Sequence, residues 1–186
     1  MPVQEDVRGA AAPQAAHEER EVLNHATIET PIGELALAYR GGAVVVCAAY
    51  RSAMSFEGAV KRVVGAAPAR EPSAPPSIER ADRAYFSGEE PFPAVDCSWL
   101  PPFQRQVLAK TAEIPRGEVR PYGWIAREIG APGAAKDVGV ALAENPILFL
   151  IPCHRVVRSD GSLGGYAGGG PALKRKLLML EGALLA

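Results

Sequence analysis

The chain contains 186 residues, of which 48% are hydrophobic and 22% are charged, and its formal net charge is −1. This composition is typical of a globular protein. No apolar run approaches the length of a membrane span, and no basic start followed by a hydrophobic core marks a secretory signal. We therefore expect a cytoplasmic protein that does not enter a membrane.

The cysteines and histidines are few and scattered. The three cysteines form no CxxC pair, and the three histidines have no paired ligand spacing. This pattern argues against a disulfide framework and a structural zinc site, so we expect no metal and no other cofactor. Charge is uneven, since the part from Ser98 onward holds 11 Lys+Arg against 7 Asp+Glu. The imbalance indicates a polyanion partner only weakly, because solvated faces produce similar differences.

The first part of the chain is predicted to be a β meander followed by a helix. Residues 1–22 mix Ala, Pro, Gln and Glu without apolar periodicity, which predicts a disordered tail. Helical spacing covers 55–64, with Ser55 as the expected N-cap. Between them, turn residues separate strand-like runs at 26–29, 34–39 and 43–50.

A Pro-rich stretch divides the chain. Residues 66–76 are predicted to be a loop and 77–86 a helix, and turn residues and Pro dominate 87–101. We place a domain boundary inside this last stretch. The prediction is an N-terminal α/β domain at 23–97 and a C-terminal domain at 98–186.

The second part is predicted to be mainly helical. A short helix at 124–129 is closed by Gly130, and a second helix at 134–143 ends before the Asn-Pro pair at 145–146. Two short helices joined by a glycine turn predict a helix-turn-helix, although such pairs are also common packing units. Further helices are predicted at 102–112 and 173–180, with a tight turn at 114–119.

The most informative stretch, 151–157, places Cys153, His154 and Arg155 in a row after an apolar run at 147–150. An isolated cysteine of this kind is most simply a core residue. Its neighbours favour a reactive thiol, and we expect these cations to lower the thiol pKa.

Two chemistries suit a cysteine beside a histidine. One is acyl transfer by a thiol hydrolase, and the other is attack of the thiolate on a saturated carbon. Because adjacent side chains rarely point at each other, His154 would reach the sulfur of Cys153 through a bridging water.

The Pro-Cys-His-Arg-Val segment at 152–156 resembles the active-site signature of the O6-alkylguanine-DNA alkyltransferases, or methylated-DNA–protein-cysteine methyltransferases. The resemblance covers about 102–183. It implies an α+β protein with a small N-terminal α/β (ribonuclease-H-like) domain and a mainly helical C-terminal domain with a winged-helix-type helix-turn-helix. The other matching motifs are at 30–35, 114–119, 122–123, 145–146, 159–161, 165–169 and 178–182.

The resemblance implies DNA repair by direct reversal, in which an O6-alkylguanine is flipped out of duplex DNA and its alkyl group moves to Cys153 once per molecule. His154 would accept the thiol proton through a water, and Glu181 would orient His154. Tyr122 would donate a hydrogen bond or a proton to the leaving guanine, and Asn145 would hold the turn that carries the cysteine.

The resemblance also implies a DNA-binding set and a base pocket. Arg155 is favoured as a structural ion-pair residue and is left out of the DNA set. The residues expected to contact DNA are Ala135, Lys136, Gly139 and Tyr122, and those expected to wall the pocket are Tyr166, Ala167 and Gly168.

The predicted DNA-facing helix departs from the family pattern. Lys136 stands where the family usually has an arginine, and it lacks the planar guanidinium. Asp137 and Glu144 add negative charge facing a polyanion, and Val140 replaces a common glycine. We therefore expect an intact alkyl-transfer site with weakened or altered DNA binding.

The expected partner is double-stranded alkylated DNA, bound by a monomer, with cooperative binding left open. One alternative is a helix-turn-helix sensor of alkylated bases that does not repair them. The thiol hydrolase is the other, and it predicts turnover where the repair reaction predicts one event per molecule.

Overall fold

The computed structural model describes residues 22–41, 44–49, 53–88 and 94–184. The tail predicted at 1–22 lies outside the described residues, apart from the exposed Val22. Within the described residues, no helix combines the length and apolar character needed to cross a membrane. In chain order the elements are β1 Asn24–Thr30, β2 Gly33–Arg40, β3 Val44–Ala49, α1 Ala53–Val64, β4 Ala69–Arg70, α2 Pro76–Phe86, β5 Ala94–Val95, α3 Pro102–Ala112, β6 Arg120–Pro121, α4 Tyr122–Glu128, α5 Ala135–Ala143, a 3-10 turn Cys153–Arg155, β7 Val156–Val157 and α6 Gly170–Leu180.

The N-terminal part contains a five-stranded sheet in the order β4-β1-β2-β3-β5. Strands β1, β2 and β3 pair antiparallel, which confirms the predicted meander. Gly33 adopts a φ of +126° at the first turn, a conformation that favours glycine. The two outer strands pair parallel to their neighbours over two residues each. They lie in stretches predicted as irregular, because two residues are too few to produce an alternating pattern.

Helix α1 covers one face of this sheet. Its buried residues Phe56 and Val60 pack against Ala36, Ala38 and Val46. The helix begins at Ala53, two residues before the predicted start. The prediction that Ser55 is the N-cap is therefore wrong, because this residue lies inside the first helical turn.

The other face of the sheet contributes to a core shared by both parts of the chain. One cluster of buried residues includes Leu37 of β2, Ile78 of α2, Val107 of α3 and Leu177 of α6. Apolar packing therefore continues across the predicted boundary at 97/98. The division into two domains stays a prediction.

Helices α3, α4 and α5 pack together, and α3 has the predicted bounds. Gly130 follows α4 with a φ of +75°, which allows the chain to turn sharply toward α5. On α3, Gln104 Nε2 donates to the carbonyls of Ala141 and Glu144, both at 3.2 Å. These bonds hold the carboxyl end of α5, after which the chain enters the apolar segment 147–151.

This apolar segment is buried against β3 and turns back on itself. Leu148 N donates to Ala48 O at 3.0 Å, and Ala48 N donates to Pro146 O at 2.9 Å. Phe149 has a φ of +74°, which is unusual for a residue with a side chain. The apolar run at 147–150 is thus a buried segment, and the tight turn explains why no regular strand continues.

Candidate active site

Cys153 is the first residue of the 3-10 turn that follows the buried segment. Its backbone N–H donates to Ile151 O at 2.7 Å, and Pro152 lies between them. The residue is 5% exposed and forms no disulfide. The local sequence therefore places an unbridged thiol at a sharp turn, just beneath the surface.

The side chain of Asn145 closes the turn around the thiol. Its Oδ1 accepts from Ile147 N at 3.0 Å. Its Nδ2 lies 3.3 Å from Ile147 O, 3.4 Å from Ile151 O and 3.3 Å from the sulfur of Cys153. One buried amide therefore joins the end of α5 to the residue that carries the sulfur.

Glu181 is the centre of a buried charged cluster at the carboxyl end of α6. Its Oε1 lies 2.8 Å from His154 Nε2. Arg155 donates from Nε to Oε2 at 2.9 Å and from an Nη to Oε1 at 3.0 Å. Tyr85 donates its hydroxyl to the same Oε1. The prediction that Arg155 is an ion-pair residue is confirmed.

The protonation of this cluster follows from its contacts. Burial alone would raise the pKa of Glu181, but hydrogen bonds from His154, Arg155 and Tyr85 lower it to about 2. Burial lowers the pKa of His154 and favours the neutral imidazole. Because the ionised Glu181 accepts a hydrogen bond, His154 carries its proton on Nε2. Its Nδ1 is then a lone-pair acceptor, and it has no hydrogen-bond partner among the described residues.

The thiol is not acidic. Burial raises the pKa of Cys153 to about 11, and the hydrogen bond from Asn145 and the charge of Lys174 offset only part of this effect. The expectation that neighbouring cations lower the thiol pKa is therefore wrong. The charge of Arg155 is directed at Glu181, and His154 is neutral. Removing the thiol proton at neutral pH requires a base.

An open pocket of about 320 Å³ brings several predicted residues together. Gly168 does not line it, and a methyl group at Gly168 would lie 2.6 Å from the ring of Tyr166. Ala135 and Lys136 also lie outside its lining. The pocket is lined by Tyr122, Gly139, Leu142, Ala143, Cys153, Gly165, Tyr166 and Ala167.

The outer face of α5 carries the residues that depart from the family pattern. Lys136, Asp137 and Glu144 are exposed, and Val140 is 51% exposed. Gly139 faces the pocket, where an added methyl group would lie 3.9 Å from the Tyr122 ring. The small residue thus allows α5 to approach Tyr122 closely.

Two residues of this region were missed by the sequence analysis. Tyr85 comes from α2 in the N-terminal part, and no local pattern indicates its contact with Glu181. Lys174 is fully buried on α6, and its Nζ donates to Val156 O at 2.5 Å and to Gly165 O at 3.3 Å. Burial lowers its pKa to about 8. A lysine on the apolar face of a predicted helix is the signal that could have identified it.

The described residues contain no group of three or more His, Cys, Asp or Glu side chains that could hold a metal ion. The site therefore offers a thiol, an imidazole with an open nitrogen and a phenol as its reactive groups.

Comparison with known proteins gives a consistent family. The model of the 6-O-methylguanine DNA methyltransferase DNA-binding domain matches residues 102–183. A methylated-DNA–protein-cysteine methyltransferase of Mycobacterium tuberculosis (strain ATCC 25618 / H37Rv) is 39% identical over 166 residues, covering 86% of this chain and 93% of that protein. The protein of that name from Mycobacterium leprae (strain TN) is 48% identical over 99 residues, which span 53% of this chain and 58% of the relative.

Solved structures that are similar to this chain belong to proteins of the same kind. The crystal structure of M. tuberculosis O6-methylguanine methyltransferase is 38% identical, with a TM-score of 0.74, and covers 89% of this chain and 96% of that one. A crystal structure of the M. tuberculosis protein in complex with DNA is also 38% identical, with a TM-score of 0.73, covering 86% and 93%. Both similarities extend over the sheet and the helices, and the mixed α+β class is thereby confirmed.

Proposed function

The chain belongs to the methylated-DNA–protein-cysteine methyltransferase family, and from this premise we propose that it repairs DNA by transferring an alkyl group from O6 of guanine to Cys153. A bond forms between the sulfur and the alkyl carbon, and the bond from that carbon to O6 breaks. The products are a thioether on the protein and an unmodified guanine. Since nothing in the site releases a thioether, each molecule acts once.

The observation that carries this proposal is that His154, the residue after a thiol that burial keeps protonated, has an Nδ1 without a hydrogen-bond partner among the described residues. Glu181 holds Nε2–H, so only Nδ1 can take a proton. The thiol proton passes to it through a bridging water, and the ionised Glu181 stabilises the resulting imidazolium. The sulfur becomes a thiolate only as it attacks, which suits a soft nucleophile and a saturated carbon.

Tyr122 serves the leaving group. Burial raises the pKa of this phenol, so it stays protonated and can donate at neutral pH. It lines the same pocket as Cys153. Donating a proton to the departing guanine neutralises the negative charge that develops on the base, which lowers the barrier to bond cleavage.

The pocket provides the place for the extruded base. A guanine inside a duplex cannot reach a thiol buried in a protein, so the nucleotide is rotated out of the stack. Tyr166 and Ala167 form one side of the pocket and α5 contributes Gly139 to its lining. Gly168 allows the ring of Tyr166 to pack closely and so supports this wall.

The partner is double-stranded alkylated DNA, and α5 lies in its minor groove with Ala135, Lys136 and Gly139 toward the groove. The exposure of Lys136 and the closeness of Gly139 to Tyr122 support this placement. Asp137 and Glu144 repel phosphates. Binding through this helix is therefore weaker than binding through a helix that has an arginine at position 136 and no acidic residues. The protein binds as a monomer in the cytoplasm, where a thiol stays reduced.

Two finer features of the fold belong to the same proposal. A ribonuclease-H-like N-terminal domain is supported by the antiparallel β1-β2-β3 unit with α1 on one face and a strand parallel to β1 at its edge. A winged helix-turn-helix is supported by α4 and α5 beside the small β6-β7 sheet.

Intact-mass measurement of the purified protein tests the proposal. After exposure to a duplex containing O6-methylguanine, we expect a mass increase of one methyl group that stops at one per molecule and is absent in Cys153→Ser. A free O6-benzylguanine-type base should add one benzyl group. DNA binding without any mass increase would indicate the sensor alternative. Continuing turnover would indicate a hydrolase.

A further inference from the structure

A second cleft lies next to the pocket of the proposed reaction. It is open, measures about 600 Å³, and shares Gly165 with that pocket. The turn after β7 forms one side, and the beginning of α6 forms the other. Its nine lining residues include Arg158 and Arg175 and no acidic residue. The cleft is therefore lined by two cationic side chains and lies beside the pocket that contains Cys153.

Arg158 belongs to a hydrogen-bonded turn that lines the cleft. Its backbone N–H donates to Ser162 O at 2.9 Å, and its carbonyl accepts from Gly161 N at 3.0 Å, which closes the turn. A methyl group at Gly164 would lie 3.7 Å from Arg158 Nε and 3.3 Å from the Tyr122 hydroxyl. The side chains of Arg158 and Tyr122 therefore flank the same glycine, one facing each cavity.

Arg175 extends the same positive surface along α6. Its neighbour Lys174 points into the core, and Lys176 lies 3.4 Å from Pro31 O on another side of the helix. Among the described residues, no ion pair involves Arg158 or Arg175. The acid on the same turn, Asp160, accepts hydrogen bonds from Ser162 N at 2.9 Å and Ser162 Oγ at 2.7 Å. Both arginines are exposed.

The charge of the cleft contrasts with that of α5. The exposed face of α5 carries Lys136 against Asp137 and Glu144, which gives one negative charge in excess. A strand of DNA whose base enters the pocket must nevertheless place its phosphates near the pocket entrance. Arg158 and Arg175 are cations of the neighbouring cleft, which shares Gly165 with that pocket.

We propose that this cleft binds the backbone phosphates of the DNA strand that carries the extruded nucleotide. Arg158 contacts the phosphate nearest the flipped base, and Arg175 contacts a phosphate further along the strand. The planar guanidinium group suits two parallel hydrogen bonds to phosphate oxygens. This site rests on the proposed function and deepens it, because it gives the strand a second attachment that offsets the acids on α5.

The test compares Arg158→Gln and Arg175→Gln with Lys176→Gln, which removes the same charge from the adjacent position on α6. Affinity for an alkylated duplex is measured over a range of salt concentrations, using each protein with Cys153→Ser so that no transfer occurs. We expect each arginine variant to weaken binding roughly fivefold and to reduce the magnitude of the log–log salt slope by about 1. The Lys176→Gln control should keep both values.

Alkylation rates separate this proposal from the proposed function. With Cys153 present, the ratio of the duplex rate to the free-base rate at subsaturating protein should fall about fivefold in each arginine variant. Arg158→Lys and Arg175→Lys should keep the salt slope, because they keep the positive charge. These variants keep the test decisive if a glutamine variant does not fold. A wild-type protein that transfers no alkyl group contradicts the proposed function. The cleft proposal is overturned if the wild type transfers the alkyl group but the arginine variants bind the duplex as tightly as the wild type. It is also overturned if they bind no more weakly than Lys176→Gln.

Discussion

Tyr85 and Glu181 are 96 positions apart in the sequence, and the hydroxyl of Tyr85 donates a buried hydrogen bond to Oε1 of Glu181. That oxygen also receives His154 Nε2 at 2.8 Å. The ring of Tyr85 packs edge-on against Phe149, with 4.2 Å between ring centroids, and Arg116 lies 4.8 Å above it. A helix of the N-terminal part therefore contributes directly to the buried cluster around Glu181 and His154.

Replacing Tyr85 by Phe removes this hydroxyl and keeps the ring. Glu181 then holds more negative charge on Oε1, which stabilises the imidazolium of His154 and raises the pKa of His154. Because the proposed reaction needs the neutral imidazole, the acid limb of the rate profile should move to higher pH. The measurement is the rate of Cys153 alkylation by a free O6-benzylguanine-type base as a function of pH.

Tyr39→Phe is the matched control, since Tyr39 is also 2% exposed but lies in the sheet. It should leave the pH profile unchanged, even if stability falls. Identical profiles for wild type and Tyr85→Phe would show that this hydroxyl does not act on His154.

Acid should destabilise the protein through Glu181. Its pKa is about 2 in the folded protein against an ordinary value of 4.5. A lowered folded pKa adds stability that is complete above the unfolded pKa and is lost as pH falls toward the folded pKa. The free energy of unfolding, measured by denaturant titration, should therefore decrease between about pH 4.5 and 2, and Glu181→Gln should flatten this decrease.

At pH 7, Glu181→Gln should also cost ~3–5 kcal/mol, because it leaves the guanidinium of Arg155 buried without its counter-charge. Glu113, whose side chain is 60% exposed, provides the comparison. Glu113→Gln should change the free energy of unfolding by less than about 0.5 kcal/mol. Equal losses in the two variants would argue against a buried ion pair.

Asn145→Ala should lower both stability and reactivity. It removes an amide that bonds Ile147, Ile151 and the sulfur of Cys153, and a buried polar group left unpaired costs about 1–3 kcal/mol. Gln104→Ala removes a comparable buried amide on the other side of α5. Thermal unfolding should show losses in both variants. Only Asn145→Ala should slow alkylation by a free base, roughly tenfold; equal slowing in both would contradict a specific role.

Substitutions on α5 should strengthen DNA binding. Asp137→Ala removes a negative charge that faces the phosphates in the proposed complex, and Lys136→Arg introduces a planar guanidinium group there. We expect each to tighten binding of a short duplex roughly threefold to tenfold at low salt, since one close charge interaction is on the order of 1 kcal/mol. Free-base alkylation should stay at the wild-type rate. Unchanged affinity in both variants would show that Lys136 and Asp137 do not weaken DNA binding through α5.

Local features of the structure were predictable from the sequence, and distant ones were not. The bounds of α3 follow from its apolar spacing, and the β meander follows from alternation between turn residues. The motif around Cys153 indicated the reactive segment. The contact of Tyr85 with Glu181 depends on how two parts of the chain pack, which no local pattern encodes. The thiol pKa was mispredicted for a related reason, because sequence neighbours do not reveal burial or the direction of a charge.

The burial of Cys153 has a consequence for the lifetime of the protein before it meets damage. Peroxides and disulfides react with thiolates, and a thiol with a pKa of about 11 is almost entirely protonated at neutral pH. A side chain that can be used once is thus shielded from oxidation and mixed-disulfide formation. In the proposed reaction, the sulfur reacts with a carbon that enters the pocket lined by Cys153, so the supply of active molecules is conserved for alkylated bases.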